Sequence, residues 1–86
     1  MKIREKVISV FKAQHEENGL QAPNDISDEL ILMESGLDSL DYAILVVRLE
    51  IELGYDPFTI MKEPFYPRTF GEFVRVYEKY KNHAKS

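Results

Sequence analysis

Apolar residues at Ile3, Val7, Val10 and Phe11 follow helical spacing, and Gln14 extends the row, while Lys2, Arg4, Glu5, Lys6 and Lys12 fill positions between. That spacing predicts a helix over residues 2–16 with one buried face. Asn18 and Gly19 supply its stop, since both tolerate the left-handed conformation that follows a helix. Residues 20–37 make a long connection with the turn formers Pro23, Asn24, Asp25 and Gly36. Ile26, Leu30, Ile31, Leu32 and Met33 interrupt it. The connection is therefore expected to be pinned to the core, through a short helical turn. Connections of this length are often functional.

A second helix is predicted over 39–53, with Asp38 as N-cap, Asp41 three residues on, and Gly54 as terminator. Residues 58–63 allow a turn or two before Pro64 and Pro67 intervene. The last helix opens on a capping box, Thr69-Phe70-Gly71-Glu72, and buries Phe70, Phe73, Val74, Tyr77 and Tyr80. The alternation of a strand is absent. The fold class is all-α: one domain over 1–86, a small bundle of three main helices plus one short helix, with a long first loop and a frayed tail at 82–86.

On a helical wheel the second helix has two apolar faces. Tyr42, Leu45, Val46, Leu49 and Leu53 lie on one; Leu40, Ala43, Ile44, Val47 and Ile51 lie nearly opposite. Asp41, Arg48 and Glu52 run between them on one side, and Glu50 on the other. A small bundle covers one broad face of a helix. Burying a large aliphatic side chain is worth roughly 1.5–3 kcal/mol, so the second face is either core covered from both sides or an apolar docking strip with an acidic fringe. The docking reading assigns partner contacts to Leu40, Asp41, Ala43, Ile44, Val47, Glu50 and Ile51.

With 86 residues the chain can build only a modest core, and it has no cysteine to reinforce it. Cys-based metal sites and Cys nucleophiles are excluded. No apolar run is long enough to span a bilayer, so membrane insertion is not expected. The first residues lack a signal-peptide stretch, which makes the cytoplasm the expected location. The net charge is −4, and all eight charged residues of 13–47 are acidic. Such a region disfavours nucleic acid and can steer a basic protein partner. His15 and His83 lack the companions of a metal site and read as solvated surface histidines. No phosphate-binding glycine loop is present. Nothing suggests a catalytic pocket, so the chain is read as a non-enzyme and a monomer. Tyr55, Phe58, Phe65, Tyr66 and Phe70 form an aromatic cluster read as core and loop packing, or else as the wall of a cargo cavity between the second and last helices.

Ser39 stands at the first position of the second helix, after the bend Ser35-Gly36-Leu37-Asp38. There a hydroxyl points to solvent, and an attached phosphate would lie beside free backbone N–H groups and the positive end of the helix dipole. A serine at this position alone reads as a cap. Its neighbours change that reading. The stretch 32–41 resembles the acyl carrier protein family, whose hallmark is Asp-Ser-Leu at the start of the second helix after Gly-Leu. Asp38-Ser39-Leu40 and Gly36-Leu37 match both parts, and Thr69-Phe70-Gly71-Glu72 is similar to the family's opening of the last helix. The resemblance covers nearly the whole chain. It implies that Ser39 carries 4′-phosphopantetheine, with Asp38 and Leu40 as motif neighbours. It also implies that this phosphopantetheine arm holds an acyl or aminoacyl group as a thioester. The implied partners are a phosphopantetheinyl transferase, a loading ligase and a downstream synthase or transferase.

Ile44, Arg48 and Ile51 stand where fatty acid synthesis carriers are often acidic or small, and residues 58–64 lack the usual run of carboxylates. A specialised fatty acid, polyketide or lipid-like pathway is therefore preferred to the housekeeping one. A helical interaction module needing no cofactor, and a degenerate carrier left unmodified, are the competing readings.

Overall fold

The computed structural model describes residues 2–21 and 26–83. Four α-helices follow in order: α1 (Ile3–Glu17), α2 (Ser39–Leu53), α3 (Pro57–Ile60) and α4 (Phe70–Lys79), with 3-10 turns at Leu32–Glu34 and Lys81–His83. No strand occurs among the described residues; the sole β-type pairing there is an isolated bridge between Ile31 and Thr69. No helix among them is long and apolar enough to cross a membrane. The expected turn formers Pro23, Asn24 and Asp25, and the last part of the expected frayed tail, lie outside the described residues. Its first part, up to His83, forms the final 3-10 turn.

Each helix has a local cause. Asp38 caps α2: its carboxylate accepts from the Asp41 N–H at 2.8 Å, and Asp41 accepts in return from the Asp38 N–H at 3.3 Å. Such a reciprocal box satisfies two otherwise orphaned donors. Thr69 and Glu72 form the same box at α4. The backbone N–H groups of Arg68 and Thr69 hold the Glu72 carboxyl below its ordinary pKa. Asp56 caps α3, where Pro57 occupies the first turn, a position at which the missing N–H costs nothing.

The core runs through all four helices. Val7 and Phe11 of α1, Leu45 and Leu49 of α2, and Phe70, Phe73 and Tyr77 of α4 have no exposed surface. Phe58 of α3 packs against that core.

The long connection is sewn to the segment before α4. The Leu32 N–H donates to the Arg68 carbonyl at 3.0 Å, Phe70 to Leu30 at 2.8 Å, and Gly71 to Asp28 at 3.0 Å. Gly71 permits this approach, since a Cβ there would lie 2.7 Å from the Asp28 Cβ. Arg4 adds an ion pair to Asp28 at 2.6 Å. Leu32 is thereby driven into the core, as expected, but Met33 turns outward.

Candidate functional site

The seam between the long connection and α2 positions Ser39. Gly36 makes the bend with φ +109°, a conformation that strongly favours glycine. Leu37 then anchors the chain in the core. Asp38 provides the capping oxygen, so Ser39 follows it as the first helical residue with its hydroxyl released from that duty. Asp38, Ser39 and Leu40 are all exposed.

His15 fixes the bend from behind. It is fully buried, which corrects the expectation of a surface histidine. Its Nδ1 lies 2.9 Å from the Phe11 carbonyl and its Nε2 3.0 Å from the Ser35 carbonyl. A side chain on α1 thus holds the turn four residues before Ser39. The burial follows from the α1 stripe: His15 is four residues beyond Phe11, and their rings are 4.6 Å apart. His15→Leu is expected to leave the Ser35 carbonyl without this partner. The expected cost is about 1–3 kcal/mol, read by urea unfolding, with faster hydrogen exchange at the Ser35 amide.

The second apolar face of α2 is uncovered. Leu40 is 69% exposed, Ile44 41%, Val47 57% and Ile51 77%. Spaced at four, three and four residues, they form one strip, with Ala43 and Glu50 exposed alongside. The opposite face packs inward through Leu45 and Leu49, with Tyr42, Val46 and Leu53 partly buried. Arg48 turns to α1, where it pairs with Glu17 at 2.7 Å and bonds the Gln14 amide oxygen at 3.0 Å. Its charge is therefore neutralised within the chain. Asp41, in the capping box, and Glu50 remain as the acidic fringe among the seven expected contact residues.

A groove opens beside Ser39. Its first part, about 300 Å³, is bounded by Ser39, Leu32, Met33, Tyr42, Tyr66 and Pro67. A second part, about 500 Å³, shares Tyr42 and Tyr66 and extends to Val46, Phe58, Met61 and Phe65. The lining is mostly apolar. Phe65 and Tyr66 are exposed, Tyr66 at 84%. Their expected role in packing is corrected: of the aromatic cluster, Tyr55 and Phe70 are buried and Phe58 partly so, while Phe65 and Tyr66 edge the groove. Pro64 and Pro67 hold this stretch extended and give Phe65 and Tyr66 no helical face to bury. Their flanking prolines were the available sequence signal for this exposure. The groove lies between α2 and the α3–α4 connection, not between α2 and α4.

Comparison with protein-family models, curated proteins and solved structures finds no match for this chain.

Proposed function

We propose that the chain is an acyl carrier: Ser39 accepts 4′-phosphopantetheine, and the exposed strip of α2 presents the loaded arm to partner enzymes. The observation that carries this reading is the exposed Ser39 hydroxyl, relieved of capping by Asp38 and set at the mouth of an apolar groove. Ser39 would supply the oxygen that bonds the phosphate, and the positive end of the α2 dipole would favour its charge. Bound there, the group supplies the thiol on which the cargo is held as a thioester. Tyr42 and Val46 give an apolar cargo a surface to lie along, which favours an acyl group over a polar aminoacyl one. A tether of this kind raises the cargo's local concentration at each partner's active site.

The transferase, loading ligase and downstream synthase meet the carrier at α2. Leu40, Ile44, Val47 and Ile51 supply apolar contact, while Asp41 and Glu50 steer basic partners. A specialised lipid-like or polyketide pathway in the cytoplasm suits the aliphatic character of this face.

Incubation with coenzyme A, magnesium and a broad-specificity phosphopantetheinyl transferase tests the reading. Intact mass should rise by one phosphopantetheine group per chain. No gain, under conditions in which an established carrier is loaded fully, would leave a non-covalent interaction module. Ile44→Glu and Ile51→Glu are expected to change stability by no more than about 0.5 kcal/mol. Each should raise the carrier concentration for half-maximal loading on the order of tenfold, or about 1.4 kcal/mol. Loss of the cooperative unfolding transition would instead make this face core.

A further inference from the structure

The cations of this acidic chain fall into two groups. Arg4, Lys6 and Arg48 are paired within the fold, to Asp28, Glu52 and Glu17. Lys62, Arg75 and Lys79 form no ion pair among the described residues. All three are exposed, and all three line one cleft of about 530 Å³. The cleft lies between the α3–α4 connection and α4. It shares Met61 and Phe65 with the groove beside Ser39, but it includes neither Ser39 nor any residue of α2.

The rest of its lining is apolar through Met61, Phe65, Val76 and Tyr80, with the carboxylates of Glu63 and Glu72. Glu72 is committed elsewhere: it accepts from the Arg68 and Thr69 N–H groups at 2.9 and 3.1 Å. Arg75 and Lys79 stand four residues apart on α4, a spacing at which like charges repel. An anion from outside would relieve that repulsion. The cleft is thus an apolar surface framed by cations, on a chain whose net charge is −4.

The same chain carries its complement. The exposed strip of α2 is apolar through Leu40, Ile44, Val47 and Ile51, and Asp41 and Glu50 form its acidic fringe. Apolar contact with opposite charges at the rim is what a specific docking surface needs. The strip and the cleft share no residue, so a copy can engage one while the other stays open. A contact of this kind is heterologous and repeats head to tail.

We infer that the cleft seats the α2 strip of a second copy of this chain. The expected monomer is then the dilute form, and concentrated chain assembles into head-to-tail rows. A copy seated on the strip withholds it from every other partner.

Sedimentation velocity of the full chain tests this. Between about 0.01 mM and about 1 mM the wild-type sedimentation coefficient should rise steadily. Val47→Gln/Ile51→Gln removes the apolar centre of the strip, and Lys62→Gln/Arg75→Gln/Lys79→Gln removes the cations of the cleft. All five positions are exposed, and thermal melts check that both variants fold. Each variant alone should associate on the order of tenfold more weakly than wild type. An equimolar mixture of the two should recover the wild-type affinity but stop at a one-to-one dimer. In it the intact cleft of the first variant meets the intact strip of the second, and neither remaining face extends the row. Wild-type chain that stays monomeric throughout overturns the inference, whatever the variants do. So does undiminished association of the cleft variant, which would place strip against strip, or a mixture that stays monomeric. The measurement needs no group on Ser39, so its outcome stands apart from the carrier reading.

Discussion

Ser39→Ala is expected to abolish phosphopantetheine attachment completely while leaving the helix and the fold in place. The cap of α2 belongs to Asp38, whose carboxylate holds the Asp41 N–H, so removing the Ser39 hydroxyl breaks no capping bond. Alanine has the highest helix propensity, and an exposed substitution of this kind stays within about 0.5 kcal/mol. Ser35 is the nearest rival hydroxyl. It is half-buried and donates to the Leu32 carbonyl at 2.7 Å, closing the 3-10 turn. Ser35→Ala should therefore weaken the bend modestly and still accept the group. Intact mass and a thermal melt of both variants read this out. A Ser39→Ala chain that still gains the group would move the attachment point elsewhere.

Phe73→Ala is expected to have the largest effect on stability, about 3–5 kcal/mol. The ring is fully buried and touches Tyr42 of α2, Phe58 of α3 and Tyr77 of α4. Its loss removes the piece that three helices share. Domains of this size hold about 5–15 kcal/mol in total, so the variant should sit near the edge of folding. Urea unfolding should show a much lower midpoint, and Tm should fall on the order of 20 °C. A loss below about 1 kcal/mol would mean that the aromatic cluster repacks freely. Against this, the expected neutrality of Ile51→Glu measures how differently the two faces of α2 are employed.

The helices were legible because local chemistry fixes them. The α2 bounds follow from Asp38 and Gly54, and the α4 start from Thr69 and Glu72, all within a few residues of the ends they define. The surplus apolar face of α2 was legible too, since a wheel with two such faces exceeds what a small bundle covers. What escaped is long-range. The pairing of Leu30 and Leu32 with Phe70 and Arg68 joins segments with no alternating pattern, because so short a ladder needs none. The burial of His15 depends on a carbonyl twenty residues away, at Ser35. Its position beyond Phe11 on the α1 stripe hinted at this, but residue type argued for solvent. The aromatic composition of 55–70 could not say which rings turn inward. That division rests on the extended path through Pro64 and Pro67, which sets Tyr66 over the groove beside Ser39.

Trypsin offers the most direct look at the central claim. Neither Lys nor Arg occurs between Lys12 and Arg48, so complete digestion releases residues 13–48 as one peptide, with Ser27, Ser35 and Ser39 as its only hydroxyl-bearing serines. In chain purified from its native cells, fragmentation of that peptide should place a phosphopantetheine group, free or loaded, on Ser39. Unmodified peptide throughout, from cells whose other carriers bear the group, would contradict the account.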